Sequence, residues 1–332
     1  MFIDAHCHAS PWALPDAPDE ALKGTWPCMR CASQDAGALF LGDTRFRELD
    51  SRSWNAERRL EDMERDRVDM QILSPMPELL SYWFDPAHAE RICDATNDHI
   101  AKIVAAHPRR FRGLGAIPLQ DPAKAPEHLM RLKADFELSG VEIGSNIAGR
   151  LLHDPAFDPF WAAAEDLGLS IFVHALHPVV AKAIELPPPL FTPLALFPLD
   201  VGMSAASLLM AGVLSRYPRL RIAFSHGGGA LPGMLGRLDA GWEATEGCGG
   251  KMSERPSASA RRLFYDSNVY DGRYLSYLAQ DAAPNQVFMG TDYPYDIMQK
   301  SPVEFIEGAG LGPDSFASVS SLAAMRFLDE RQ

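Results

Sequence analysis

Eight short apolar runs, separated by longer and more polar segments, constrain the fold of this chain more than any other feature. The runs cover residues 2–4, 70–74, 112–117, 140–144, 169–174, 220–225, 263–266 and 287–291. Most of their positions are apolar rather than alternately apolar and polar, which is typical of parallel strands that are covered on both faces. The pattern therefore predicts a parallel sheet enclosed by helices.

Four of the intervening segments show the periodicity of amphipathic helices. Residues 91–107, 127–138, 154–167 and 200–217 repeat apolar side chains at a spacing of three to four positions. Strands that alternate with helices over 332 residues predict an α/β fold, a (β/α)8 TIM barrel in which residues 1–332 form one domain. A doubly wound open sheet is the alternative, because it has the same alternation of strands and helices.

Two stretches interrupt this alternation. Residues 9–54 and 178–198 are rich in Pro or Gly and show no clear helical period. Loops of this length in a compact domain are usually functional. Because both follow predicted strands, we expect both at the C-terminal mouth of the barrel, and residues 9–54 as an insertion that forms a small lid after the first strand.

Composition narrows the classes of partner. Lys and Arg number 31 against 44 Asp and Glu, a net charge of -13, which argues against nucleic acid and anionic membranes as partners. No apolar run approaches the roughly 20 residues that span a bilayer. The first residues lack the features of a secretory signal, so we expect a cytoplasmic protein with reduced thiols. The pair Cys28 and Cys31 lacks a second ligand pair at zinc-finger spacing, which argues against a structural zinc site.

Histidines and one aspartate close several of the predicted strands. His6 and His8 end the first strand, where residues two apart point to the same face. His174 ends the fifth strand, His226 the sixth and Asp292 the eighth. Barrel enzymes build their active sites at these strand ends, so we expect the five side chains to share one metal site.

The remaining histidines carry weaker predictions. His177 lies three residues beyond His174 in the same loop, so we expect it near the substrate. The others fall in predicted helices or at their ends, where we expect surface or capping roles: His88, His99, His107, His128 and His153.

Several motifs together resemble the amidohydrolase superfamily, and within it the branch of metal-dependent, non-oxidative decarboxylases. The matching segments are Ile3-Asp4-Ala5-His6-Cys7-His8, Leu80-Ser81-Tyr82-Trp83, Phe224-Ser225-His226-Gly227-Gly228-Gly229, Gly236-Arg237-Leu238 and Gly290-Thr291-Asp292-Tyr293-Pro294, together with the strand-ending His174. The resemblance implies that His6, His8, His174 and Asp292 bind one divalent metal ion, Zn²⁺ or alternatively Mn²⁺, with water in an open position, and that His226 is the acid/base acting on that water. The fourth strand has no lysine that could bridge two metals, which favours one ion.

The resemblance also implies the substrate and the assembly. It predicts a carbon–carbon lyase that decarboxylates a small anionic organic acid, either unsaturated or aromatic. Arg237 matches an arginine that binds the substrate carboxylate in a neighbouring subunit, which implies a homodimer. The alternative for Arg237 is a surface ion pair with Asp239 or Glu243.

The second substrate arginine of the family is absent. The family has an arginine four residues before the position of Trp54, where this chain has Asp50. Arg47 and Arg52 are near in sequence and could replace it, because a guanidinium can approach a carboxylate from several backbone positions. Trp83 and Phe46 are candidates for the walls of the pocket.

Two other functions are compatible with the same residues. A hydratase or hydrolase of an unsaturated dicarboxylic acid could use the same metal site, because fold and metal do not fix the reaction. A non-catalytic binding protein could keep a degenerate barrel, although loss of a ligand or of His226 would be expected in that case.

Overall fold

The strands of the computed structural model follow the predicted alternation. The structure describes residues 1–187, 190–250 and 252–330, without the side chains of residues 248 and 249. Its strands are β1 (Ile3–Ala9), β2 (Pro27–Ser33), β3 (Ala36–Leu41), β4 (Thr44–Asp50), β5 (Met70–Pro75), β6 (Phe111–Gly115), β7 (Gly140–Gly144), β8 (Asn146–Ile147), β9 (Arg150–Leu151), β10 (Ser170–His174), β11 (Arg221–Phe224), β12 (Phe264–Asp266) and β13 (Val287–Phe288).

Eight of these strands form a parallel barrel. They follow one another in the order β1-β5-β6-β7-β10-β11-β12-β13. The first and last strands meet, since Ala5 N donates to Met289 O at 2.8 Å and Cys7 forms a parallel bridge with Tyr293. The predicted TIM barrel is therefore confirmed, and the open sheet is wrong because its two edges would not pair.

The helices surround this barrel. They are α1 (Ala56–Arg65), α2 (Pro86–Ala106), α3 (Ala125–Ala134), α4 (Asp158–Leu167), α5 (Phe197–Met210), α6 (Val213–Arg216), α7 (Leu231–Ala244), α8 (Glu246–Gly250), α9 (Pro256–Ala260), α10 (Gly272–Tyr277), α11 (Pro302–Glu307), α12 (Pro313–Ala317) and α13 (Ala323–Leu328). The single helix predicted over residues 200–217 divides into α5 and α6, because Gly212 takes a left-handed conformation with φ 67° between them.

Apolar side chains close one end of the barrel interior. Strand residues, including Phe172 and Phe288, pack with Phe327 of α13 into one buried cluster. Each fully buried side chain of this kind contributes roughly 1.5–3 kcal/mol relative to leaving it exposed. The N-terminal end is thereby closed, and the C-terminal end is the one available for a site.

The predicted lid has more secondary structure than the sequence analysis expected. Within residues 9–54, β2, β3 and β4 form a three-stranded antiparallel sheet. The β3–β4 hairpin turns at Gly42-Asp43, a two-residue hairpin signal that the sequence contains, and Gly42 has φ 60°. Cys28 and Cys31 lie three residues apart in β2 and therefore point to opposite faces.

The second long loop leads into an apolar helix. After a short turn at Val179–Lys182, the segment Thr192–Met210 is helical, and Pro188 and Pro189 lie outside the described residues. This 19-residue helix is long and apolar enough, by length and composition alone, to cross a membrane. Within it, 44% of the most apolar 18-residue window is buried in the protein. The expectation that no apolar run approaches the length of a membrane span is therefore corrected. Asp200 near its middle is buried and accepts a hydrogen bond from Val179 N at 2.9 Å, as in a helix packed on a protein core.

Candidate active site

Four side chains from three strand ends converge at the C-terminal mouth of the barrel. His6 and His8 come from β1, His174 ends β10 and Asp292 follows β13, and all four are buried. One potential ligand atom from each lies within 4.8 Å of the others. Asp292 Oδ1 is 3.1 Å from His8 Nε2, 3.3 Å from His6 Nε2 and 3.7 Å from His174 Nε2. The structure thus brings together the four residues predicted as metal ligands.

The Nδ1 atom of each of the three imidazoles forms a hydrogen bond that fixes the orientation of the ring. His6 Nδ1 donates to Asp266 Oδ2 at 2.5 Å, His8 Nδ1 to Pro75 O at 2.8 Å and His174 Nδ1 to Ala175 O at 2.9 Å. When an imidazole is neutral with Nδ1 as the donor, the lone pair of its Nε2 is directed toward the shared point. His174 Nε2 and Asp292 Oδ1 are buried there without a hydrogen-bond partner among the described residues. Unpartnered nitrogen and oxygen atoms around one point fit a divalent cation.

The protonation of the cluster agrees with this fit. Burial lowers the pKa of His174 to about 3, so its imidazole is neutral, as a metal ligand must be. Burial opposes a charge on His6 as well, but the carboxylates of Asp292 and Asp266 outweigh burial and raise its pKa to about 10. In the metal-free chain a proton on His6 balances these carboxylates, and a divalent cation would replace that proton.

His226 lies beside the cluster with its ring at the mouth. Its Nε2 is 3.8 Å from Asp292 Oδ2, and 11% of its side chain is exposed. Both His226 and Asp292 have left-handed backbones, with φ 56° and 68°. Such conformations in residues other than glycine cost about 1–3 kcal/mol each and concentrate at functional sites. His226 is therefore a partly exposed imidazole next to the predicted metal ligands.

Asp266 joins the cluster to His226, and the sequence analysis did not single it out. It ends β12, and besides holding His6 it accepts hydrogen bonds from the backbone N–H groups of His226 at 2.9 Å and Gly227 at 2.8 Å. Its position at the end of the seventh predicted strand was the available signal, since the other site residues end strands as well. Gly229 completes the same turn: it has φ 57°, and a Cβ there would lie 1.9 Å from Pro198 O.

A pocket of about 470 Å³ opens above His174 and Asp292. Arg47, Arg52, Glu78 and Tyr295 contribute polar groups to it, while Phe197 and neighbouring residues contribute apolar surface. A volume of this size is in the range that holds a small organic ligand. The two arginines predicted to lie near the substrate are thus both in the pocket wall.

The two arginines differ in their surroundings. Arg52 is bound by Asp50, with Nε 2.9 Å from both carboxylate oxygens. Arg47 packs over the ring of Tyr295, 4.2 Å from its centroid, and its Nη2 lies 3.4 Å from Glu78 Oε1. Asp50 therefore pairs with Arg52, which leaves Arg47 as the better placed cation.

The structure places the remaining predicted substrate residues outside this pocket wall. Trp83 and His177 stack on each other, with ring centroids 4.7 Å apart, and Phe46 is 39% exposed beside Arg47.

Two of the histidines expected at the surface are instead turned inward: His128 is buried, and His99 has a buried Nε2 with no partner among the described residues. They lie on the faces of α2 and α3 that pack against the fold.

Arg237 lies on α7 with its side chain exposed, away from the pocket wall. Among the described residues it has no ion pair or hydrogen bond. Asp239 instead accepts hydrogen bonds from Ser257, and Glu243 pairs with Arg255. The surface ion pair considered as the alternative for Arg237 is therefore not formed with either acid.

A barrel with three histidines and an aspartate joined at its strand ends defines a metal-dependent enzyme of the TIM-barrel class. The chain belongs to the amidohydrolase family, whose model matches residues 3–329. It is 32% identical over 307 residues to the 2-amino-3-carboxymuconate-6-semialdehyde decarboxylase of Dictyostelium discoideum, which covers 92% of this chain and 85% of the relative.

Solved structures agree with this membership. The crystal structure of 5-carboxyvanillate decarboxylase LigW from Sphingomonas paucimobilis is 30% identical, with a TM-score of 0.75, over 82% of this chain and 83% of that chain. The 5-carboxyvanillate decarboxylase of Novosphingobium aromaticivorans, complexed with manganese and 4-hydroxy-3-methoxy-5-nitrobenzoic acid, shares the fold at 24% identity and a TM-score of 0.74, over 84% and 81% of the two chains. The predicted decarboxylase branch is confirmed, and the hydratase alternative is not favoured.

Proposed function

We propose that this chain decarboxylates a small aromatic or unsaturated carboxylic acid without an oxidant, using one divalent metal ion held by His6, His8, His174 and Asp292. The observation that carries the proposal is the pair of unpartnered, buried atoms, His174 Nε2 and Asp292 Oδ1, beneath a pocket that also contains Arg47. When bound, the ion supplies Lewis acidity, which polarises an oxygen ligand and lowers the pKa of water. Three imidazoles and one carboxylate favour Zn²⁺ over metals that prefer oxygen-rich sites, such as Mn²⁺.

The chain's own residues would position the acid and move the proton. Arg47 is directed into the pocket and would hold a substrate carboxylate by charge-assisted hydrogen bonds. When the bond to CO2 breaks, its electron pair remains on the substrate carbon, which must be conjugated to accept it. His226 would deliver a proton to that carbon, a role for which a partly exposed imidazole beside the cluster is suited.

The apolar side of the pocket would favour the unsaturated part of the substrate. Phe197 stacks with His226 at an interplanar angle of 16° and a centroid distance of 6.5 Å, and it lines the pocket. A flat, conjugated acid between this ring and the arginine would have its reacting carbon near His226. We also propose that β2–β4 act as a lid of the single barrel domain, since β4 and the residues after it supply Arg47 and Arg52.

The test is CO2 release by the metal-loaded protein across a panel of hydroxybenzoates, 5-carboxyvanillate and the aminocarboxymuconate semialdehyde. His226→Gln should keep the metal and lose activity by about 10²-fold or more, since general acid catalysis contributes that much. His153→Gln, at an exposed histidine, is the matched control and should keep both. A His226→Gln protein with full turnover, or no CO2 from any acid in the panel, would refute the proposal.

We further propose a homodimer in which Arg237 of one subunit reaches the pocket of the other. Several large apolar side chains around α5 are exposed, among them Leu194, Leu199 and Met203. Such a patch is typical of an interaction surface. α5 packs against α7, so a partner on this face would lie beside the unpaired Arg237.

Mixing two inactive variants tests this shared site. Arg237→Ala and His226→Gln should each lose activity, but a mixed dimer has one pocket with both residues intact. Subunit exchange of an equal mixture should therefore restore about a quarter of the wild-type activity if exchange is random. If Arg237 acts within its own subunit or only at the surface, the mixture will be no more active than its components.

A further inference from the structure

Glu78 has an unexplained free oxygen in the wall of the pocket. It lies in the short helical turn Pro77–Leu80 that follows β5, and its side chain is 8% exposed. Oε1 lies 3.4 Å from Arg47 Nη2, whereas Oε2 is buried and has no hydrogen-bond partner in the part of the chain that the structure describes. Leaving a buried polar group unsatisfied is costly, so a carboxylate kept here in a ligand pocket indicates a ligand that satisfies it.

Arg47 and Tyr295 connect Glu78 to His8, one of the predicted metal ligands, as a series of side chains in contact. The guanidinium of Arg47 covers Tyr295, and Tyr295 stacks on His8 with centroids 5.2 Å apart and an angle of 24°. A molecule whose carboxylate meets Arg47 would lie in the pocket that Glu78, His174 and Asp292 also line. Two further unpartnered atoms, Ser53 Oγ and Tyr295 Oη, belong to residues of the same pocket wall.

The charges of this wall limit what the ligand can carry. Asp50 pairs with Arg52 and Glu78 with Arg47. The same wall contains three further acids, Glu48, Asp292 and Asp296, so it holds more acidic groups than arginines. A second carboxylate on the ligand would lie beside the Glu78 carboxylate rather than beside an unpaired cation, and two adjacent negative charges repel each other. A hydroxyl or amino group would instead donate a hydrogen bond to the free oxygen of Glu78.

We infer that Glu78 is a specificity-determining residue: it accepts a hydrogen bond from a hydroxyl or amino group next to the carboxylate that Arg47 binds, and it disfavours acids with a second carboxylate there. This inference rests on the proposed function, because it assumes that an organic acid occupies the pocket. It narrows the substrate class to hydroxy- or amino-substituted acids.

Binding of two matched probes tests the inference. Salicylate carries a hydroxyl beside its carboxylate, and phthalate carries a second carboxylate in the same place. Titration calorimetry on the zinc-loaded protein should show tighter binding of salicylate. In Glu78→Leu, salicylate should bind about ten- to a hundredfold more weakly, the value of a hydrogen bond to a charged group, while phthalate binding should stay equal or tighten. Glu78→Gln keeps the size and an acceptor, and its preference should be intermediate.

A purely structural role for Glu78, as the support of Arg47, predicts a different result. Misplacing Arg47 would weaken both probes equally and leave their ratio unchanged. Glu61→Gln, at an exposed glutamate paired with Arg58, is the control and should keep the wild-type ratio. An unchanged ratio in both Glu78 variants, or equal binding of the two probes by the wild type, would overturn the inference.

The same proteins separate this inference from the proposed function. If the ratio shifts as expected but no acid of the panel releases CO2, the recognition role stands and the decarboxylase proposal fails. If hydroxy acids lose CO2 while the Glu78 variants keep the ratio, the reaction stands and the role of Glu78 fails.

Discussion

Replacing Asp266 by asparagine should weaken metal binding although Asp266 touches no metal ion. The carboxylate holds the Nδ1–H of His6 at 2.5 Å and accepts backbone hydrogen bonds from His226, Gly227 and, at 3.0 Å, Asn268. The asparagine amide has the same shape but keeps only one acceptor oxygen. Its NH2 group would replace Oδ2 and face the two donors that Oδ2 now accepts from, His6 Nδ1–H and His226 N–H. His6 then loses the partner that fixes its tautomer and its direction.

The magnitude follows from these contacts. Loss of a carboxylate that supports a metal-bound histidine typically weakens metal binding 10–100-fold, or about 1.4–2.7 kcal/mol. The two donors left facing the amide add about 1–3 kcal/mol each to the cost of folding. Asp266→Asn should therefore lower both metal affinity and thermal stability, and it should lower turnover, because the turn that carries His226 loses an acceptor.

Competition with a chromophoric chelator would give the zinc affinity of the wild type and of Asp266→Asn. Asp281→Asn, at an exposed aspartate, is the control and should match the wild type. A correctly folded Asp266→Asn protein with unchanged zinc affinity would refute the account of Asp266 as the support of His6.

Three further predictions concern stability. Chelation of the metal should lower the thermal midpoint by about 5 °C, because an ion present at 100 times its Kd stabilises the native state by about 2.7 kcal/mol. Burial, aided by the cation of Arg59, lowers the pKa of His99 to about 4. Between about pH 6.5 and 4, His99 is therefore protonated in the unfolded chain but neutral in the native chain. The free energy of unfolding should fall by about 3 kcal/mol as the pH drops through this window, and His99→Leu should remove this pH dependence. Gly229→Ala should destabilise the protein by about 3 kcal/mol or more, since the new Cβ meets Pro198 O in a left-handed backbone.

Each of these has a direct measurement. Calorimetric scans with and without EDTA test the first, and identical midpoints would contradict it. Urea unfolding of the wild type and His99→Leu at several pH values tests the second, and parallel pH profiles would show that His99 is not responsible. Gly233→Ala, where a Cβ meets nothing within 4 Å, is the control for Gly229→Ala, and equal stability of the two variants would contradict the third.

The barrel was predictable because its strands are buried on both faces. Continuous apolar runs of this kind are visible in a single sequence, and the parallel order follows from the helices between them. The antiparallel sheet β2–β4 was missed because β2 and β4 have few large apolar residues and are partly exposed. The hairpin turn at Gly42-Asp43 was readable in the sequence, but β3 is the one strand of the described sheet with a continuous apolar run.

The candidate site was predictable where the residue type itself was unusual. A histidine at a strand end stands out, and so His6, His174 and His226 could be found without coordinates. Glu78 carries a common acidic side chain, and only its burial distinguishes it from a surface acid. Asp266 ends a predicted strand, but its hydrogen bonds to His6 and to the turn at His226 are visible only in the structure. The pairing of Arg52 with Asp50 likewise depends on rotamers, which no spacing in the sequence specifies.

The sheet β2–β4 and the turn after it supply Arg47 and Arg52 to the pocket, whereas the barrel supplies His174 and Asp292. Mutations in the sheet can therefore alter which molecules are admitted without disturbing the hydrogen bonds that close the barrel. Connecting segments vary in sequence more than the elements they join, so changes in substrate preference are expected to concentrate in residues 9–54. Such a segment could be exchanged between relatives while the predicted metal ligands are kept.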